Sequence, residues 1–387
     1  MDTRRYRRQI VLPQIGEAGQ RRWAAARIAI VGMGALGSTS ASLLARAGVG
    51  CGGAAGGDTA ADGAAGGGAP GRSAAQKGSG AAQKGGFLRL IDRDYVSLDN
   101  LQRSSLYTEA DAASSTPKAI AAAEHLRTIN SEVACDPRVT QVSGENIESL
   151  LADIDLVIDG SDNFELRYLL NEACDSLRIP WVYGGVLGTS GMVFPIVPGQ
   201  TPCFRCLSPR EPLPGSYPTC ASAGVLGTVS TLVASLQTTE ALKLILGAQA
   251  ERASGLIDID LWHAEGTLVP FERKPDCPTC GRHSYELLNT DRGSNSTALC
   301  GRDEYQVVPA RGKAQSGVPG EKADASCDLA RLAERLRSEG DVLLSPYLLT
   351  FDNGTLRFKL FADGRMMLKG VPDEAAALSV YAEYVGL

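Results

Sequence analysis

A short apolar run, Arg27–Val31, leads directly into Gly32-Met33-Gly34-Ala35-Leu36-Gly37 and then into an Ala- and Leu-rich segment ending near Gly48. Strand, glycine turn and helix in that order constrain this chain more than any other feature. The glycines allow a tight turn, and the turn presents backbone amides at a helix N-terminus, where a phosphate is favoured. The pattern alone fits NAD, FAD or ATP equally.

A second strand should follow the helix at once, but residues 51–86 intervene, with 24 Gly or Ala among 36 positions and the pentamer AAQKG twice. Such a segment has almost no side chain to bury, so a flexible surface insertion is expected. Beyond it, Phe87–Asp92 reads as the delayed strand, with Asp92 at its carboxyl end. A nucleotide fingerprint wants an acidic residue about 20 positions past its last glycine. Here 92 − 37 is 55, and removing the 36 inserted residues leaves 19.

Further strands are expected at 133–142, 154–158, 181–186 and 191–197, with helices at 117–129 and Phe164–Leu177 between them. Alternation of this kind predicts an α/β fold with a doubly wound, mainly parallel sheet that binds ligands at the carboxyl ends of its strands. Lys118 is informative there, because a cation in a helix's first turn opposes the macrodipole unless an anion joins it. Thr116 reads as that helix's cap and Pro117 as its first residue. Asp162 follows the 154–158 strand and is readable as a helix cap; beside Lys118 and Arg103 it reads better as a carboxylate holding Mg²⁺ on a triphosphate.

Ten cysteines are too few for a disulfide scaffold in 387 residues. Cys203 and Cys206 form one C-x-x-C, and Cys277 and Cys280 form another. Two such pairs supply four thiolates for a closed structural zinc site, which staples a fold and leaves no open position for catalysis. Cys220 stands apart in a small-residue loop before a helix starting around Val229. The three histidines, His125, His263 and His283, give a histidine-based hydrolase little support.

The division expected is a nucleotide-binding α/β domain at 1–288, with the zinc-stapled part at 203–280, a linker-like stretch at 289–326 and a small α+β domain at 327–387. Within the last, helices are expected at Leu329–Leu336 and 374–385, with hairpin turns at 352–354 and 362–364. A net charge of −6 argues against nucleic acid as the main partner. No run approaches the roughly 18 apolar residues of a membrane span, and MDTRRYRRQIVLPQIG lacks a signal-peptide core. A cytoplasmic location is the expectation.

Several motifs in order, Arg5-Tyr6-Arg7-Arg8-Gln9-Ile10, the GMGALG turn, Leu90-Ile91-Asp92-Arg93-Asp94-Tyr95-Val96, Asn100-Leu101-Gln102-Arg103, Pro117-Lys118, Ser161-Asp162-Asn163 and the two C-x-x-C pairs, resemble the ThiF/MoeB/HesA family. The tail from Cys300 onward is more similar to its extended ThiF-type branch. The resemblance implies that Gly32, Gly34 and Gly37 cradle ATP, with Gly34 a backbone contact, Asp92 a ribose ligand and Asn100 a nearby polar contact. It implies phosphate contacts from Arg103 and Lys118, Mg²⁺ at Asp162 with Asn163 beside it, and Arg8 donated across a homodimer. The implied reaction is adenylation of the C-terminal glycine of a ubiquitin-like sulfur carrier resembling ThiS or MoaD and ending in Gly-Gly. Sulfur from a persulfide donor, a sulfurtransferase or cysteine desulfurase, would follow in thiamin or molybdopterin biosynthesis, with Cys220 matching the reactive loop cysteine. Alternatives are a silent carrier-binding subunit, a family enzyme acting on a small molecule or tRNA base, and a nicotinamide-dependent dehydrogenase.

Overall fold

The computed structural model describes residues 2–52, 85–211, 220–289, 297–298, 304–308 and 327–385. Most of the Gly/Ala-rich insertion and most of the 289–326 stretch lie outside them, as do the side chains of Cys220 and Ala221.

Eight strands form the main sheet: β1 (Arg27–Val31), β2 (Phe87–Asp92), β3 (Cys135–Val139), β4 (Leu156–Asp159), β5 (Trp181–Leu187), β6 (Ser190–Ile196), β7 (Leu256–Asp260) and β8 (Glu265–Val269). Their order is β3-β2-β1-β4-β5-β6-β7-β8. The first five run parallel, and β6 to β8 extend the sheet antiparallel. The strand order reverses between β1 and β4, so both carboxyl ends open on one crevice, the usual ligand position in such sheets.

The period-two alternation of β1 explains its central place. Ile28 and Ile30 enter the core that includes Met33, Leu44, Leu126, Val233 and Ala241. Ala29 and Val31 enter the opposite core with Tyr168, Leu170, Cys174 and Trp181. Helices Ala35–Ala47, Lys118–Ile129 and Gly227–Leu246 therefore cover one face, while Phe164–Leu177 covers the other. A strand buried on both faces is apolar at every position, as β1 and β4 nearly are.

Both described ends of the insertion meet at one place. Gly52 N–H donates to the Ala24 carbonyl, and Phe87 N–H donates to the Ala26 carbonyl at 3.2 Å. Cys51, expected in the insertion, is buried in the core, with its Sγ 3.3 Å from the Tyr6 hydroxyl.

A second sheet, wholly antiparallel, has the order β11-β12-β13-β14-β10-β9. Its strands are β9 (Thr297–Ala298), β10 (Tyr305–Val307), β11 (Asp341–Leu344), β12 (Leu348–Asp352), β13 (Arg357–Phe361) and β14 (Met366–Lys369). Helices Leu329–Leu336 and Glu374–Tyr384 close its core, in which Phe351 and Phe358 stack with centroids 4.9 Å apart. The stretch expected as linker thus contributes two strands. At two and three residues they are too short to carry a legible alternation.

Candidate active site

At the end of β1 the chain turns through Gly32, which has φ +90° and whose Cβ, if present, would lie 2.7 Å from the Gly160 carbonyl. A Cβ on Gly37 would lie 1.8 Å from the Gly32 oxygen. These glycines let β1, β4 and the helix Ala35–Ala47 pack backbone to backbone. Gly34 differs: it caps that helix without a side-chain hydrogen bond, and among the described residues nothing lies within 4 Å of where its Cβ would be. First-turn amides beside open space suit an anion.

Asp92 sits beside this turn, its Oδ2 accepting from Met33 N–H at 2.6 Å and its Oδ1 from Asp94 N–H at 2.7 Å. The Tyr107 hydroxyl donates to the Met33 carbonyl at 2.6 Å and to that of Lys118 at 3.2 Å. Burial, together with the nearby carboxylates of Asp92, Asp111 and Asp94, raises the Tyr107 pKa well above its ordinary value, so the hydroxyl remains a donor.

Asn100 ends the turn Leu98–Asn100; it is buried, and its Oδ1 has no hydrogen-bond partner among the described residues. Arg103 is half-buried and donates to the Asp99 carbonyl at 2.6 Å. This loop rests on the nucleotide-type helix, where Thr39 and Ser105 hydroxyls lie 3.0 Å apart.

Lys118 is buried, and its Nζ lies 2.8 Å from Asp94 Oδ2. An aspartate thus already offsets the charge that the sequence leaves opposed to the helix dipole. Thr116 does not cap this helix. Pro117 takes the cap position in extended conformation, because Tyr95 and Pro117 form an antiparallel bridge and Val96 N–H donates to the Thr116 carbonyl.

At the carboxyl end of β4, Asp162 and Asn163 are both exposed. The cap of helix Phe164–Leu177 is Asn163, whose side chain accepts from Glu165 N–H at 2.8 Å, leaving Asp162 without that task. Behind this loop, buried Asp159 accepts from the Ser161 amide at 2.9 Å and from its hydroxyl at 2.6 Å. Arg167 Nε lies 3.3 Å from Asp159 Oδ2, and Arg167 also donates to the Ser161 carbonyl at 2.8 Å. Burial raises the Asp159 pKa above its ordinary value, against the lowering pull of Arg167 and Ser161.

Cys203, Cys206, Cys277 and Cys280 come together although Cys206 and Cys277 stand 71 positions apart in sequence. All four are buried, with sulfurs within 4.8 Å of one another. Three sulfur pairs stand at 3.9, 3.6 and 3.5 Å. Tetrahedral Zn–S bonds of about 2.3 Å imply sulfur separations of about 3.8 Å, so the donor set fits a four-thiolate zinc site.

A family model described as the ThiF family matches residues 6–279, which take in the glycine turn, Asp92, Asn100, Arg103, Lys118, Asp162 and the cysteine cluster except Cys280. The chain belongs to the ThiF family. It is 36% identical over 387 residues to the sulfur carrier protein ThiS adenylyltransferase of Bacillus subtilis (strain 168), covering 99% of this chain and 100% of that one. It is 34% identical over 284 residues to the SAMP-activating enzyme E1 of Haloferax volcanii, covering 73% and 91%. It is also 34% identical over 304 residues to the adenylyltransferase and sulfurtransferase MOCS3 of Bos taurus, covering 77% of this chain and 58% of that one. The crystal structure of E. coli MccB with MccA-N7isoASN superposes with a TM-score of 0.56 at 19% identity, over 73% of this chain and 75% of that one, a likeness of fold alone.

In this ThiF-family chain, β1, β2, β4 and the start of helix Lys118–Ile129 bring Gly34, Asp92, Lys118 and Asp162 to one end of the sheet. Arg8 is not among them. Its short helix, Arg7–Ile10, sits where Gln9 donates to the Ala47 carbonyl, at the far end of the 13-residue helix Ala35–Ala47. That end is about 20 Å from Gly34 at 1.5 Å per residue. Cys220 opens the helical turn Cys220–Ala223, and its side chain lies outside the described residues. Four residues beyond that turn, Gly227 abuts Gln102 and Arg103.

Asp94, Tyr107, Asp159 and Arg167 support the site, although nothing in the residue pattern assigns any of them a role there. Asp94 stood two residues from Asp92, and the unusual charge at Lys118 was the only signal that a partner was needed.

Proposed function

We propose that this chain is an ATP-dependent adenylyltransferase that activates the C-terminal glycine of a small ubiquitin-like sulfur carrier ending in Gly-Gly. The observation that carries this reading is the convergence of an uncapped, open helix N-terminus at Gly34 with Asp92, Lys118 and Asp162 on one edge of the sheet. The names of its relatives support it: one acts on ThiS, and another joins adenylyltransferase with sulfurtransferase.

A terminal carboxylate is ionised at neutral pH, so its attack on the α-phosphate needs no general base. The carboxylate oxygen bonds to the α-phosphorus, the α–β bridging bond breaks, and pyrophosphate leaves with the electron pair. What the protein supplies is alignment and charge neutralisation. Amides at Gly34, in the turn shaped by Gly32 and Gly37, receive phosphate oxygens, and Asp92 takes the ribose through oxygens already oriented by Met33 and Asp94. Asn100 offers its Oδ1, which has no partner among the described residues, and Arg103 and Lys118 contact phosphates. Asp162, with Asn163 beside it, holds the Mg²⁺ of the substrate.

Arg8, too far to serve its own site, acts in that of a second copy, which supports a homodimer. Cys203, Cys206, Cys277 and Cys280 hold a zinc that ties residues 203–206 to 277–280. Cys220 acts later: its thiolate sulfur bonds to the glycine acyl carbon as AMP leaves with the electron pair, giving a thioester. The outer sulfur of the persulfide donor then attacks that carbon and expels the Cys220 thiolate, so that the glycine is left bonded to the donor's sulfur. The setting is the cytoplasm, and the product serves thiamin or molybdopterin biosynthesis. Among the described residues no helix is long and apolar enough to cross a membrane. The test is exchange of labelled pyrophosphate into ATP, which must depend on a carrier ending in Gly-Gly.

A further inference from the structure

The C-terminal antiparallel unit lies beyond the part of the chain that the family model matches, yet it is seated against the nucleotide edge of the sheet. Tyr95, three residues past Asp92, is buried among Leu348, Phe361 and Met367. Lys359 on β13 places its Nζ 3.2 Å from the centroid of the Tyr95 ring and donates to Ser115 Oγ at 2.9 Å. Arg365, 3% exposed, donates from Nη1 to the Arg93 carbonyl at 2.9 Å while Asp363 fixes its Nε at 2.7 Å.

These contacts fall on the two segments whose pairing sets the position of Lys118. Tyr95 bridges Pro117, Val96 N–H donates to the Thr116 carbonyl, and Lys118 N–H donates to the Asp94 carbonyl at 2.9 Å. The Lys118–Asp94 ion pair at 2.8 Å joins the same two segments through their side chains. Lys359 touches both, through Tyr95 on one side and Ser115 on the other. Arg365 holds the residue between Asp92 and Asp94. Each segment is only a few residues of irregular backbone, the kind of element that opens locally unless packed. A phosphate contact displaced by about 1 Å loses much of its effect.

We infer that the C-terminal unit is a positioning module for the nucleotide site, in which Lys359 and Arg365 clamp the segments that place Lys118. This rests on the nucleotide-site reading above. Neither side chain touches the reacting atoms; both are positioning residues that act through Lys118.

The test is calorimetric titration of Mg-ATP into the full chain without carrier, with thermal unfolding measured in parallel. Lys359→Met and Arg365→Met should each weaken Mg-ATP binding by about three- to tenfold, the range of one lost hydrogen bond. Arg365→Lys, which keeps a donor for the Arg93 carbonyl, should recover most of the loss. Lys359 is less buried than Arg365, so Lys359→Met keeps the test open should Arg365→Met fail to fold. Variants that bind Mg-ATP as wild type does, even with a lowered melting temperature, would overturn the clamp and leave the unit as packing alone. Wild type that binds no Mg-ATP would overturn the nucleotide-site reading and the clamp together.

Discussion

The Asp92 carboxylate accepts the backbone N–H of Met33 at 2.6 Å, across the 59 positions that separate them in sequence. The residue proposed to hold the ribose is therefore also one that shapes the glycine turn, and its second oxygen binds Asp94 N–H at 2.7 Å. Asp92→Ala should leave both amides without their acceptor. Unmade hydrogen bonds of this kind cost about 1–3 kcal/mol each, so urea unfolding should show a loss of about 2–6 kcal/mol. A loss below about 0.5 kcal/mol, the level of an ordinary surface substitution, would show that the turn is held without it.

The Asp159–Arg167 pair behind the Asp162 loop gives a pH-dependent prediction. The folded pKa of Asp159 lies above its ordinary 3.8, chiefly through burial, so the folded chain keeps this proton to higher pH than the unfolded chain. Its contribution to stability therefore falls as pH rises from that ordinary value through the folded one. Arg167→Met removes a charge that pulls the folded pKa down, which widens the window upward. The variant should lose about 3–5 kcal/mol at pH 8, as for a broken buried pair, and less at pH 5. Equal losses at the two pH values, read from urea midpoints, would contradict the assignment.

The four-cysteine cluster should carry zinc. Metal analysis of purified protein should find about one equivalent per chain, and Cys277→Ser or strong chelation should lower the melting temperature because metal binding is coupled to folding. Protein that is metal-free, equally stable and fully active would show that the four thiols staple nothing.

Residues 53–84 should be dispensable. Gly52 and Phe87 both hydrogen-bond to the Ala24–Ala26 backbone, so a short turn can rejoin them. Cys51 must stay, because it is buried against Tyr6. Circular dichroism and exchange activity of the shortened chain should match wild type. Unfolding, or loss of activity, would assign the insertion a part in the fold or the reaction.

The central strands and helices were legible because burial on both faces, or on one helical face, writes its period into the sequence. β2 and helix Phe164–Leu177 fall where the pattern places them, to the residue. The glycine turn was legible for a related reason, since backbone-to-backbone packing at Gly32 and Gly37 leaves no room for a Cβ. Less was legible where partners are distant. The Lys118–Asp94 pair spans 24 positions, and the bridge between Tyr95 and Pro117 moves the helix cap away from Thr116. Similarly, Asp162 and Asn163 are both plausible caps by residue type, and only geometry assigns the cap to Asn163 and leaves Asp162 facing solvent. Strand β10 depends on β14, whose paired residues such as Leu368 opposite Tyr305 are distant in sequence, and β9 depends in turn on β10.

Carrier-dependent exchange of pyrophosphate into ATP by Asp162→Ala and Arg103→Ala tests the central claim most directly. Asp162 is exposed and does not cap its helix, so its loss should change stability by no more than about 0.5 kcal/mol. Stabilisation of developing charge is commonly worth a hundredfold or more in rate, so each variant should remain folded and lose exchange by at least about 100-fold. Exchange near the wild-type rate in either variant would contradict the assignment of that residue, and its absence in wild type with every carrier ending in Gly-Gly would contradict adenylation itself.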